Sequence, residues 1–287
     1  MRVTNQMILE DVLRGLRGNL EALRRAQEEA VTGRRVLRVS DEPTDAAWIM
    51  KLGSQIRANE TYQRTVTSVE TRLSTEEAVL ESVDGLLDRA KVLAAEISEL
   101  NDPTLRAAAR EEALSIRSQI ISLGNTELLG EYIFAGGATD APPFQQDGTY
   151  VGDSTPRLAE IESGTLLETN HTGDQFLTDT IAALNQLAGA LDGSQPASTA
   201  EIVEALDQAQ QGVRLAQAQD AARTAQLADA EARLTQTATE LIDREQDLSE
   251  VDPTEAVLRL TAAQTALERA YAIVGQVLSA NIVDYLA

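Results

Sequence analysis

The chain has no cysteine, only two lysines, one histidine and one tryptophan in 287 residues, and aromatics make up 3% of it. Without cysteine there is no disulfide, no thiolate zinc site and no cysteine nucleophile, which suits a cytoplasmic protein and equally an exported one. Neither GxGxxG nor GxxxxGK[ST] occurs, so a phosphate cradle is excluded. No apolar run approaches the roughly eighteen residues of a membrane span. The opening MRVTNQMILEDVLRGLRGNL carries charge too often to contain the apolar core of a secretory signal. With so few aromatics, the apolar content is Ala, Leu, Val and Ile. That composition fits long helices packed side by side, giving a rod rather than a ball.

Charge is abundant and mostly negative. The formal net charge is −22, which argues against nucleic acid as a partner. Residues 1–40 hold eight Arg against five acids, whereas residues 127–204 hold thirteen acids and Arg157 alone. The acidic stretch reads as solvated surface. A membrane-surface role is disfavoured too, because such helices want a basic face and interfacial aromatics, and only Trp48 is offered.

Four apolar seams organise the chain. Leu9, Leu13, Leu16, Leu20, Leu23, Gln27 and Ala30 step by alternating fours and threes. Val66, Val69, Leu73, Glu76, Leu80, Val83, Leu87, Ala90, Ala94 and Ile97 keep the same step, broken only by Glu76. A sustained period of about 3.5 residues marks helices packed along their length. Asn101-Asp102-Pro103 stops this run and opens another helix to about Asn125. In the second half Leu206, Val213, Leu227, Leu234, Leu241 and Leu248 lie on a seven-residue line whose one polar member is Asp220. After Asp252-Pro253, Leu260, Ala263, Leu267, Ala270, Val274 and Val277 carry a seam towards Tyr285 and Leu286.

Between Tyr132 and Phe176 the pattern changes. Five of the nine aromatics, Tyr132, Phe134, Phe144, Tyr150 and Phe176, fall among closely spaced Gly and Pro. Short apolar bursts bounded by turn residues predict strands with their own aromatic mini-core. The expected fold is mainly α, a rod of long antiparallel helices from both termini with a small β-rich insert at the far end. Its divisions are an assembly helix over 1–35, an outgoing helical segment over 36–130, the insert over 131–198, a returning segment over 199–250 and a second assembly helix over 251–287. Each terminal seam is too narrow to be stable alone in water, so the termini are expected to complete their burial against neighbouring subunits.

No constellation asks for catalysis. His171 lies in the turn-like TNHTGD and reads as a surface residue, and one imidazole cannot make the usual zinc site. Asp41, Glu42 and Asp45 lack EF-hand spacing and fit the acidic start of a helix. Glu160 and Glu162 would share one strand face, but without an aromatic sugar platform they read as solvated. Neither a cofactor nor a metal is expected. VTGRRVLRVSDEPTDAA (31–47) reads as a joint: Gly33 ends one helix, Ser40 or Asp41 caps the next and Pro43 stands in its first turn. Arg34 and Arg35 would pair with acids of this chain or a neighbour.

That joint resembles the segment after the first helix in the bacterial flagellin family. VTNQMILEDVLRGLRGNLEALRRAQEEA is similar to the family's opening helix, and EVDPTEAVLRLTAAQTALERAYAIVGQVLSANIVDYLA to its closing one. Together these cover about a third of the chain. GEYIFAGGATDAPPF, YVGD and the Asp41–Pro43 variant are similar to the family's hook-filament junction branch. The resemblance implies terminal helices that pack in an inner layer with those of neighbouring subunits. It also implies an outer domain and export through the flagellar type III channel without a cleaved signal. The implied partners are identical subunits in a ring, hook-associated protein 1, flagellin and a cytoplasmic export chaperone. Subunit packing would fall to Leu9, Leu13, Leu16, Leu20 and Leu23 at one end and to Leu260, Leu267, Val274, Val277 and Tyr285 at the other. A short filament-forming flagellin and a cytoplasmic coiled-coil adaptor with a complete bundle remain as alternative readings.

Overall fold

A computed structural model describes the backbone of residues 5–36, 38–39, 42–97, 102–194 and 198–286. It describes the side chains of residue 7 and of the same ranges from 10 to 276. The chain is mainly helical. In order come α1 (Asn5–Thr32), α2 (Pro43–Glu96), α3 (Pro103–Gly124), strands β1 (Glu127–Leu128), β2 (Glu131–Tyr132), β3 (Leu158–Glu162) and β4 (Thr165–Glu168), a 3-10 turn (Gly173–Gln175), α4 (Leu177–Asp192), α5 (Thr199–Ser249) and α6 (Pro253–Leu286). The strands form two separate antiparallel ribbons, β1–β2 and β3–β4. Among the described residues no helix is long and apolar enough to cross a membrane.

Prolines set three of the helix starts. Pro43, Pro103 and Pro253 each open a helix, where a missing N–H costs nothing and a fixed φ helps. Before two of them an aspartate caps the first turn: Asp102 accepts from the Thr104 N–H and Asp252 from the Thr254 N–H, each at 2.7 Å. Before Pro43 the Glu42 carbonyl accepts from the Ala46 N–H, so Glu42 holds the cap position, while Ser40 and Asp41 lie outside the described residues.

The chain forms two compact units, residues 59–237 and residues 1–58 with 238–287. In the first, α2 and α5 run antiparallel: Lys91 pairs with Asp207, Gln210 donates to Asp88 at 2.8 Å and Arg214 reaches Asp84 at 3.6 Å. The expected seams face inward. Val66, Val69, Leu73, Leu80, Val83, Leu87, Ala90 and Ala94 are all buried, as are Leu206, Val213, Leu227 and Leu234. Burying each such Leu or Val contributes about 1.5–3 kcal/mol.

The aromatic stretch departs from its expectation in two ways. Within residues 131–198, Leu177–Asp192 is a helix, not β structure; LTDTIAALNQLAGALD places Leu177, Ile181, Leu184, Leu187 and Leu191 on one buried stripe. Nor do the aromatics form a core of their own. Phe134, Phe144 and Phe176 are buried in one cluster with residues of α2, α3, α4 and α5, and Tyr150 packs against it half-buried. Phe134 and Phe176 meet edge to face at 5.6 Å, Phe144 and Tyr150 at 5.2 Å. Tyr132 sits half-buried on β2. Three aromatics and a tyrosine ring are too little to close a separate core, so they join the apolar faces already present. Gly136 lets the chain turn here: its φ is +67°, and a Cβ would lie 1.8 Å from the Asp153 carbonyl oxygen.

Candidate assembly surface

In the second unit α1 and α6 pack along one another. The joint fixes their register. Gly33 ends α1 with φ +68°, its N–H bonded to the Glu29 carbonyl at 2.9 Å. Residues 33–35 then pair antiparallel with 249–251: Arg34 bridges Glu250, the Arg35 N–H donates to Ser249 O at 2.7 Å and the Val251 N–H to Gly33 O at 2.9 Å. One turn back, the buried Glu29 carboxylate receives Arg25 and Arg259, each at 3.3 Å.

Arg35 is held within the chain. It pairs with Glu42, donates to Asp45 at 2.8 Å and reaches the Leu248 carbonyl at 3.1 Å. The guanidinium, and then Glu42, hold the Asp45 carboxyl below the usual carboxylate range. Glu42 and Asp45 therefore serve an arginine rather than a metal ion. Arg34 is exposed, with no ion pair among the described residues. Pro43 stands at the start of α2 and Asp41 lies outside the described residues.

The terminal seam splits in two. On α1, Leu16 and Leu23 are half-buried, in line with Val12, Asn19 and buried Ala26 and Glu29. Leu13 and Leu20, from the same expected seam, are 38% and 42% exposed. On α6, Leu260, Ala263, Leu267, Ala270 and Val274 are only half-buried, while Val257, Leu258, Tyr271 and Ile273 are exposed. A helix offers one partner a single stripe, and α1 carries apolar residues over more than one. Scattered exposed leucines need no explanation; six exposed large apolar side chains on two paired helices make these faces a candidate for a subunit contact. The side chains of Leu9, Val277 and Tyr285 lie outside the described residues.

His171 corrects the expectation of a surface turn: it is 2% exposed. Its ring Nδ1 lies 2.7 Å from Glu76 Oε1 and 3.3 Å from Asp220 Oδ1. The polar interruptions of the two seams are therefore one cluster, and two acids facing inward on separate helices were the signal that a cation must meet them. Glu76, His171 and Asp220 could each offer a ligand atom within 4.8 Å of the others. A guanidinium already takes that place: Arg223 Nη1 is 3.3 Å from both ring nitrogens and from Asp220 Oδ1. The set is therefore not read as a metal centre. Glu160 and Glu162 are also separated in role. A register shift between them breaks the strand face. Glu162 takes Arg233 at 2.8 and 3.0 Å, while Glu160 accepts from the Gly164 N–H at 2.8 Å.

Residues 3–139 match the bacterial flagellin N-terminal helical region. Flagellar hook-associated protein 3 of Escherichia coli (strain K12) is 31% identical over 73% of this chain and 65% of its own length. The protein of the same name in Salmonella typhimurium is 32% identical over 61% of this chain and 56% of its own. This chain thus spans less than two thirds of the length of either relative. Among solved structures, FlgL of Bacillus cereus is similar at a TM-score of 0.61, with 23% identity, covering 68% of this chain and 99% of that one; that likeness is one of fold. The opening helix, the joint and these matches together make the chain similar to the bacterial flagellin family and, within it, to flagellar hook-associated protein 3.

Proposed function

We propose that this chain is a structural subunit of the bacterial flagellum. It would form the junction between hook-associated protein 1 and the flagellin filament by packing its terminal helices with those of neighbouring subunits. The carrying observation is the α1–α6 pair, which leaves Leu13, Leu20, Val257, Leu258, Tyr271 and Ile273 exposed while comparable seams on α2 and α5 are covered. A complete adaptor bundle would have no reason to leave them in water. The name shared by the relatives supports a junction role over a short filament-forming flagellin. The reading places the protein outside the cell, in a ring of identical subunits between hook-associated protein 1 and flagellin. It would arrive by the flagellar export route without a cleaved signal and with a chaperone in the cytoplasm. The subunit-packing residues would be Leu13 and Leu20 on α1 with Val257, Leu258, Tyr271 and Ile273 on α6, next to the half-buried Leu16, Leu23, Leu260, Leu267 and Val274. No residue is given a catalytic role.

Deleting residues 1–30 or 258–287 is the test. The expected outcome is loss of junction assembly on hook ends capped with hook-associated protein 1, while residues 59–237 keep their amide protection. Normal junctions from either deletion would overturn the proposal.

A further inference from the structure

His171 is the only histidine of the chain, and its turn is buried where α2 and α5 both interrupt their apolar seams with an acid. Glu76 on α2 and Asp220 on α5 are 0% and 2% exposed. Glu76 Oε1 accepts from the His171 backbone N–H at 2.9 Å and lies 2.7 Å from ring Nδ1. The other ring nitrogen, Nε2, lies 2.7 Å from Gln219 Oε1. Arg223 Nη1 lies 3.3 Å from each ring nitrogen, but the shorter contacts, at 2.7 Å, are to the acceptors Glu76 and Gln219, and only a doubly protonated ring donates to both.

The surrounding charges nearly balance. Arg223 reaches Asp220 with Nη1 and donates through Nη2 to Glu168 on β4 at 2.8 Å. Arg72, one turn before Glu76 on α2, turns instead to the Ile133 carbonyl at 3.1 Å and to Glu131. Imidazolium and Arg223 therefore answer Glu76 and Glu168, and Asp220 is the acid left over. Glu76 Oε2 and Asp220 Oδ2 are buried without a hydrogen-bond partner. Buried acceptors without a donor are costly, and a proton on Asp220 is a donor the cluster itself can supply.

We propose that Glu76, His171, Asp220 and Arg223 form a proton-loaded clasp: with His171 as imidazolium and Asp220 as neutral acid it fastens the 169–172 turn to α2 and α5, and it loosens as protons leave. Burial, then the charge of Glu76, pushes the Asp220 carboxyl up to about 7 despite His171 and Arg223. Burial pulls His171 down, but the bond to Glu76 and the fields of Glu76 and Asp220 outweigh it and raise the ring above its ordinary value. Both groups hold protons more tightly in the folded chain than in the unfolded one. Their stabilisation is complete below the unfolded values and is lost as pH rises through the folded ones. The Asp220 share therefore fades between about 4 and about 7 and the His171 share above about 6.5.

A single histidine makes the test direct. In ring-nitrogen NMR of the full chain, both nitrogens of His171 should be protonated at pH 6, with a titration midpoint above 6.5. In urea, the folded chain should lose stability from pH 5 to pH 7, within the range in which the Asp220 share fades. Asp220→Asn, whose amide stands for the neutral acid, should lose less than half as much. A histidine midpoint at or below 6.5, or parallel pH curves for wild type and Asp220→Asn, would overturn the clasp. So would stabilisation by added Zn2+ with loss of the ring proton, because a metal would then be the neutralising charge. If Asp220→Asn does not fold, the wild-type ring titration decides alone.

Discussion

The two units present the same sequence device with opposite results. Residues 59–237 and the terminal unit both carry seams stepping by threes and fours, yet Leu80, Val83, Leu87 and Leu206 are fully covered while Leu13 and Leu20 remain 38% and 42% exposed. The difference is what each helix meets. In the larger unit α2 and α5 are joined by α3, α4 and the aromatic stretch, whose buried residues close one continuous cluster. In the terminal unit α1 and α6 have mainly each other, and a pair of helices covers one stripe on each. A heptad pattern therefore specifies that a helix packs, and the number of elements around it decides whether the packing is finished within the chain.

The sharpest way to break this contrast is truncation of one leucine from each unit. Leu80→Ala empties a fully buried site and should cost about 2–5 kcal/mol in urea unfolding of the isolated subunit. Leu20→Ala should cost under about 1 kcal/mol there, yet impair assembly with neighbouring subunits. Similar costs at both sites would mean that α1 is already complete in the monomer, and the distinction between the units would fall.

Much of this was legible in advance because the long helices rest on local signals. The Pro-led starts, the left-handed Gly33 and the burial of the Val66–Ala94 seam all follow from residue type and spacing. What was not legible depended on contacts distant in sequence. TNHTGD looks like a surface turn until Glu76, 95 residues away, accepts the His171 backbone N–H; Glu76 and Asp220 were visible only as isolated faults in two seams. The α4 helix was hidden in a stretch whose Gly and Pro suggested strands. The outward half of the α1 seam could not be separated from its inward half by periodicity alone. That division depends on where α6 lies, which no local pattern encodes.

The joint offers a smaller contrast between neighbours. Arg35→Glu would replace a guanidinium that holds Glu42, Asp45 and the Leu248 carbonyl with a third carboxylate. It should destabilise the terminal unit by about 1–2 kcal/mol, reduced by salt because the site is partly solvated. Arg34→Glu removes an exposed side chain and should change monomer stability by less than about 0.5 kcal/mol. If Arg34→Glu nevertheless weakens assembly, Arg34 faces a neighbour; if both variants act equally on the monomer, the joint is not held as described.

The smallest expected effect separates the units by the direction of their pH response. Asp102 in the larger unit and Asp252 in the terminal one are both held below the usual range, chiefly by the backbone N–H of Thr104 and of Thr254. A depressed carboxylate stabilises above its unfolded value, and that stabilisation is lost as pH falls through the folded one, so both units should weaken below about pH 4. Asp102→Asn and Asp252→Asn should each remove part of this acid sensitivity in their own unit, read by hydrogen exchange resolved by segment. Asp220 and His171 act in the opposite sense and lie only in the larger unit, so a decline as pH rises from about 5 through neutrality should appear in residues 59–237 alone. An equal decline over that range in α1 and α6 would show that the units do not titrate separately, and the contrast drawn from their seams would not extend to their electrostatics.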